Sequence, residues 1–360
     1  MTVATAEVFD PARDPLQLRR RGVLVSLAVL LVVAGIAASA IGAVPIAPSH
    51  ILAALAQSIG IDTGVRLEPF ETAVLFSIRL PRVLLGTGVG AILGVSGASL
   101  QALFRNPLAD PSLIGVSGGA AVGAVGWIVL GTAVPLWMHA TFAMPLVSFV
   151  TGLIATAAIY AIGRVQARTD TATLLLAGLA INALTTAVIG YLTYLGNDAQ
   201  LRALTFWLLG GLGGATWPQI WPVLIAMGVA VAALIALARS YDGFALGESA
   251  AGHIGIAVEN VRRITVAAVA LGVGASVALT GVIGFVGLVA PHLLRLVGGA
   301  SHRFVLPGSA LLGALLVVLA DLLSRTLVAP AELPIGIVTS ALGAPFFIWL
   351  LRIRLGGVRS

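Results

Sequence analysis

The chain has 360 residues, of which 59% are hydrophobic and 9% charged, with a formal net charge of +6 and a mean hydropathy of +1.07. A water-soluble domain needs more surface charge than this, so composition excludes one. All 20 basic residues are arginine; a nucleotide-binding P-loop needs a lysine at the β/γ-phosphates, so this chain carries no ordinary ATPase site.

Apolar runs of about twenty residues recur along the whole sequence, each long enough to cross a ~30 Å hydrocarbon core as a helix. Backbone groups in lipid must be bonded within the segment, which makes these runs helices. The ~10-residue alternation of a β-barrel is absent. The fold class is therefore all-α integral membrane, with ten spans. Arg19, Arg20 and Arg21 precede the first, at about 22–44. That run is too long for the apolar region of a cleaved signal, so it is predicted to be retained, with 1–21 as a cytoplasmic N-terminal segment. A loop rich in proline and charge follows, with room for a short surface helix. The second span, about 80–104, opens with Pro81 in a tolerated first-turn position and ends at Arg105-Asn106-Pro107. The third and fourth are about 112–132 and 141–163, and Arg164 and Arg168 mark a cytoplasmic turn. The fifth is about 172–195, followed by a short Gly-broken helix from Leu204 to Gly214, and the sixth is about 217–238. A polar interval from Arg239 to Arg263 precedes the seventh, about 264–282. The apolar piece 284–297 holds Pro291-His292 and is short for a full crossing, so it reads as a tilted or partly buried eighth helix. The ninth and tenth are about 304–327 and 335–351. One ten-helix membrane unit thus covers 22–354, with a cytoplasmic tail at 355–360.

Ten crossings place both termini on one side. The inner side then holds Arg19–Arg21, Arg105, Arg164, Arg168, Arg239, Arg262, Arg263, Arg303, Arg352 and Arg354, and the outer side Arg66, Arg79, Arg82, Arg202 and Arg325. The excess of arginine inside follows the positive-inside rule and is no nucleic-acid signature. Arg79, Arg82 and Arg325 are exceptions: they either snorkel to headgroups or form an exposed patch suited to bidentate pairing with a partner's carboxylates. Asp321, in apolar surroundings, needs a partner, and Arg325 four residues on supplies one. Gly86, Gly90, Gly94 and Gly97 form one helix face, for close packing or for lining a path. The interval Tyr241–Val258 is too apolar for a disordered linker and reads as two short helices forming a rigid cytoplasmic platform. Met138 and His139, in the outer loop after the third span, are the right types to ligate a metal, but a lone loop histidine makes no site and no metal is expected. Gly115-Val116-Ser117-Gly118-Gly119 formally matches a nucleophile signature, which with His292 describes an intramembrane serine protease, a distant alternative. An ion-coupled secondary transporter needs buried acids or broken helices at the midplane, and the spans hold almost no acid besides Asp321.

Arg79-Leu80-Pro81-Arg82, Ser96-Gly97, Gln101, Arg105-Asn106-Pro107-Leu108-Ala109-Asp110-Pro111 and Gly115-Val116-Ser117 resemble the FecCD-type permeases, the membrane subunits of type II ABC importers. Gly284-Phe285-Val286-Gly287-Leu288-Val289-Ala290-Pro291-His292, Leu306-Pro307-Gly308-Ser309-Ala310, Ala320-Asp321 and Pro330-Ala331-Glu332-Leu333-Pro334-Ile335-Gly336 extend the resemblance over nearly the whole chain after residue 22. The resemblance implies ten helices per subunit and a homodimer in the bacterial inner membrane, with the translocation path at the dimer axis. Two cytoplasmic ABC ATPase subunits would hold ATP and Mg, with no cofactor on this chain, and a periplasmic substrate-binding protein would deliver the cargo.

The family's coupling helices match the loop at about 240–262, with Ala245, Gly247, Glu248, Ala250, Gly252 and Gly255 as contact residues. Its binding-protein pockets match Arg79, Arg82 and Arg325. Its cytoplasmic gate matches Asn106, Leu108 and Thr171, with Ala172 departing from the Thr-Ser pair of the cobalamin member. Gly94, Ser96, Ser117, Gly118 and Arg202 are expected along the substrate path. Members carry haem, ferric siderophores or cobalamin. The form of the segment from Arg105 to Ser117 is more similar to haem permeases, which makes haem the expected cargo, with ferric siderophore and cobalamin as alternatives. The mechanism implied is alternating access, in which ATP and loaded binding protein favour different states.

Overall fold

The computed structural model describes residues 15–65, 68–131, 141–165, 168–169 and 171–356. Helix α1 (Pro15–Ala40) is followed by the surface helix α2 (Pro48–Ser58). The next rod runs from α3 (Pro69–Val74) through a π turn, Leu75–Arg79, into α4 (Leu80–Leu103). The π turn has a local cause. Pro81 has no N–H to give the turn before it, and the Leu80 N–H reaches five residues back to the Leu75 carbonyl. A 3-10 turn, Pro111–Ile114, leads to α5 (Val116–Leu130), and α6 (Ala143–Ile162) runs back beside it. A two-stranded hairpin pairs β1 (Arg164–Val165) antiparallel with β2 (Arg168–Thr169), Arg164 opposite Thr169. Then come α7 (Thr171–Leu195), α8 (Asp198–Leu208), α9 (Trp217–Ala236), α10 (Ala238–Phe244) and α11 (Glu248–His253). The chain ends with α12 (Val258–Thr280), α13 (Val286–Gly298), α14 (His302–Thr326) and α15 (Ile335–Gly356).

Among the described residues, seven helices are long and apolar enough to cross a membrane: α1, the rod ending in α4, α6, α7, α9, α12 and α14. The shorter apolar helices α5, α13 and α15 bring the crossings to the ten expected. With 13 residues, α13 spans only ~20 Å, which fits the partial eighth helix.

Several boundaries differ from the sequence reading; α12, for one, starts at Val258 rather than near 264. Helix α1 starts at Pro15, not near residue 22, so Arg19–Arg21 stand inside it. The short helix expected at Leu204–Gly214 starts earlier and ends earlier. Asn197 and Gln200 form a reciprocal capping box that starts α8 at Asp198, and Gly210, at φ 72°, lies in the irregular stretch beyond its end.

The core is arranged around three helices. Over their most apolar stretches α4 and α12 are 72% buried and α14 61%, whereas α1 and α7 are 17% buried. Helix α4 lies against α14, α13, α9 and α12. Its glycine face makes the close approaches: a Cβ on Gly90 would fall on the Gly313 backbone, one on Gly94 on the Ser309 carbonyl, and one on Gly97 on the Gly287 backbone. Small residues let helix backbones touch in this way. Gly94→Val therefore forces α4 and α14 apart. It is expected to lower the thermal stability of the detergent-solubilised protein by the ~1–3 kcal/mol or more of an overpacked core. Gly252→Ala, where nothing lies within 4 Å, should leave the midpoint unchanged or raise it.

Candidate functional site

The outer end of the bundle is organised by an ion network. Arg82, 7% exposed, donates from Nε to both oxygens of Asp321 at 2.9 and 3.1 Å, and its Nη2 lies 2.9 Å from Oδ1 of Asp321 and from Oε2 of Glu332. Asp321, 3% exposed, also accepts from Nε of Arg325 at 3.1 Å, the i,i+4 pair expected from the sequence. Arg325 donates onward to the carbonyls of Ala38 and Ile41. Arg79, in the π turn and 5% exposed, donates to the carbonyls of Ser39, Ala40 and Val44. Both arginines thus satisfy the free carbonyls at the end of α1.

The exposed guanidinium patch expected from the sequence is corrected here: Arg79, Arg82 and Arg325 are turned inward and paired. Their neighbours explain why. Asp321 and the end of α1 present more acceptors than one arginine can satisfy. A cavity of about 170 Å³ beside the network, lined by Arg82, Gly210–Gly213 and Glu332 among others, leads to the Arg82 guanidinium.

The inner end carries the platform foreseen in the sequence as two short helices, α10 and α11. It is anchored by Tyr241 and Phe244, 0% and 1% exposed, whose rings meet edge to face. The Tyr241 hydroxyl shares a 2.7 Å hydrogen bond with Thr265 Oγ1 on α12, and burial pushes its pKa up to about 12, so it stays protonated. Gly247 joins the two helices at φ 103° and Gly255 leaves the second at φ 88°, conformations that need glycine. Glu248 accepts from Nη2 of buried Arg262 at 2.6 Å, which fixes α11 to α12. Ala245, Glu248, Gly252 and Gly255 are exposed, Gly247 and Ala250 half-buried. Leu246 and Ile254, 68% and 62% exposed, add an apolar surface that the sequence reading passed over, because exposure is not a local property.

The expected gate residues fall on the loop after α4. Asn106 is half-buried and its Oδ1 accepts from the Leu108 N–H at 2.9 Å, while Leu108 projects outward. This loop continues into the 3-10 turn that packs on α7, where Asn182 Nδ2 donates to the Ser112 carbonyl at 3.0 Å. Thr171 opens α7, and its side chain lies outside the described residues, as do Met138 and His139.

The expected path residues divide. Gly94 and Ser96 are corrected: both are buried at helix contacts, Ser96 fully, and line no open surface within the protomer. Ser117 and Gly118 are half-buried, and a Cβ on Gly118 would lie 2.8 Å from Thr185 Oγ1 on α7. Ser117 stands in the first turn of an ordinary helix rather than on a strand-to-helix elbow. Arg202 is exposed on α8, whose Gln200 clamps it to the outer end of α5 by bonds to the carbonyls of Ile128 and Val129.

The FecCD transport family model matches residues 30–353. The chain belongs to the FecCD transport family. It is 44% identical over 281 residues to the hemin transport system permease protein HmuU of Yersinia pestis, an alignment covering 77% of this chain and 83% of that one. It is 43% identical over 292 residues to the vitamin B12 import system permease protein BtuC of Shigella sonnei, covering 81% and 87%. A solved structure described as an inward-facing conformation of a metal-chelate type ABC transporter superposes with a TM-score of 0.80 at 28% identity, over 92% of this chain and 99% of the other. This FecCD permease is thus the multi-pass inner-membrane subunit of a bacterial ABC importer, and ATP is hydrolysed in a partner subunit. The protease and ion-coupled alternatives fall with that assignment.

The ion network yields a direct test. Asp321→Asn leaves Arg82 and Arg325 short of charge in a buried site, a loss on the order of 3–5 kcal/mol, read as a lower unfolding temperature in detergent. Glu332→Gln, at a side chain 49% exposed, should cost about 1 kcal/mol or less.

Proposed function

We propose that this permease imports haem, taking it from a periplasmic binding protein and releasing it to the cytoplasm by alternating access, as a homodimer on two ATPase subunits. The observation that carries the cargo assignment is the outer end of α7 and α8. Tyr191 and Tyr194 on α7 are 64% and 83% exposed, and Phe206 on α8 is 62% exposed. Arg202 stands four residues before Phe206, on the same helix face. Open aromatic rings suit a flat, apolar macrocycle, and a guanidinium suits its propionate carboxylates. The likeness to the hemin permease agrees with this reading, and the equal likeness to the vitamin B12 permease makes cobalamin the natural comparison.

In this reading the binding protein docks at the cavity beside Arg82, where an incoming carboxylate takes the place of half-exposed Glu332. The ATPase meets the platform at Ala245, Gly247, Glu248, Ala250, Gly252 and Gly255, with Leu246 and Ile254 as apolar anchors. Motion of the platform reaches the Asn106–Leu108 and Thr171 gate through α10, which packs on α4. Ser117, Gly118 and Arg202 then line the path.

The test is substrate-stimulated ATP hydrolysis and internal accumulation in liposomes holding the complete complex. Haem-loaded binding protein should stimulate both, and ferric-siderophore-loaded or cobalamin-loaded protein neither. Stimulation by one of the latter alone sinks the haem assignment. Arg202→Ala should reduce haem accumulation several-fold with basal ATP hydrolysis unchanged. Leu246→Arg should instead lose stimulation for every cargo, because the ATPase no longer seats.

A further inference from the structure

A cavity of about 490 Å³ opens at the inner end of the bundle, between the end of α4, the platform helix α10 and the connection from α13 to α14. Its volume lies in the range of small-molecule sites. Two guanidiniums line it, Arg105 and Arg295, and neither forms an ion pair among the described residues. Arg295, half-buried, donates to Gln101 Oε1, and Gln101 in turn donates from Nε2 to the Gly287 carbonyl at 3.2 Å. The amide therefore orients Arg295 without neutralising it. Arg105 holds φ at 48°, a left-handed conformation that a long side chain rarely adopts. It passes against Gly247, where a Cβ would stand 3.8 Å from its Nη1. The carboxylate in the lining belongs to Asp242, and its Oδ1 already takes the His302 backbone N–H at 2.7 Å and faces His302 Nδ1 at 2.8 Å. The 25-residue helix α14 begins at the same wall, and its positive end adds to the field.

Two guanidiniums with free donors outnumber the single carboxylate in the lining, and with the helix start they leave a surplus of positive potential in a recess. We infer that this cavity binds a phosphate group, held between Arg105 and Arg295. Planar guanidiniums pair with phosphate oxygens through two parallel bonds, which a chloride ion cannot match. The group arrives either as a free phosphate from the cytoplasm or as the headgroup of an anionic lipid, since the cavity lies at the level of the inner interface. Either source presents the same oxygens to the same pair.

The experiment uses the full-length protein in nanodiscs of phosphatidylcholine alone, with radiolabelled inorganic phosphate titrated at constant ionic strength in chloride. A second arm uses mixed phosphatidylcholine and phosphatidylglycerol discs and reads retained phosphatidylglycerol by native mass spectrometry after extraction. Saturable binding in the first arm marks free phosphate as the source, and specific retention in the second marks the lipid. Arg295→Gln and Arg105→Gln are each expected to weaken the positive arm at least ten-fold, while Arg303→Gln, exposed and outside the cavity, leaves it unchanged. Because Arg105 is an exposed loop residue, its variant tests the site even where Arg295→Gln unfolds. Absence of binding in both arms, or equal binding by wild type and the Arg105 variant, overturns the inference.

Discussion

The close approach of α4 to α14 is the constraint on which the rest of the bundle depends. The two helices run antiparallel, and their contacts advance by four residues on each side. Gly94 meets Ser309, Gly90 meets Gly313, and Gly86 lies under Val317. The next step along the same row is Arg82 against Asp321. Rows of i±4 residues packed against each other are the ordinary ridge-into-groove geometry. Here the row starts with bare backbone and ends with a charge pair. Glycine brings the axes close enough for the guanidinium to reach the carboxylate without bridging water, and the ion pair fixes the register that the glycines alone leave free to slide.

A centre held in this way divides the molecule by function. Helices α4 and α14 are locked to each other by backbone contact and a buried ion pair, so they are poor places for motion. The elements joined to them are looser. The loop after α4 departs through Arg105 in a left-handed conformation, the platform hangs on Gly247 and Gly255, and α13 opens with Phe285 at φ 67°. The π turn before Pro81 is a break of the same kind at the outer end. Alternating access needs two arrangements of nearly equal energy. Such pairs arise where the chain is held by a few backbone bonds and not where it is packed glycine to glycine.

Much of this architecture was legible in the sequence because it is written locally. Apolar length marks a span, glycine at every third or fourth position marks a packing face, and Asp321 with Arg325 marks an i,i+4 pair. What was illegible depends on distance. Arg82 and Asp321 are 239 residues apart, and nothing near Arg82 shows that its charge turns inward. The same limit made Gly94 and Ser96 candidates for a path: a glycine face reads alike whether a helix or a substrate lies against it. The start of α8 was a different kind of miss. Asn197 and Gln200 are a capping box in plain view, but the glycines further on drew the helix toward themselves.

The buried arginines also explain the irregularity in the charge distribution. Counted by residue, the outer side holds several arginines that the positive-inside rule disfavours. Arg79, Arg82 and Arg325 are consumed by α1 carbonyls and by Asp321, whereas Arg19, Arg21, Arg105, Arg164, Arg239, Arg263 and Arg303 on the inner side are solvent-exposed. In the folded bundle Arg82 and Arg325 are neutralised by Asp321 and Glu332, whereas Arg79 keeps its charge and is held in place by carbonyls. Lysine would not serve in these places. Arg79 and Arg325 each reach more than one carbonyl from a planar fork, and Arg82 holds two carboxylates at once. A compact ammonium lacks the donors and the shape for that work, which gives a chain with no lysine a structural reason for arginine at its outer end.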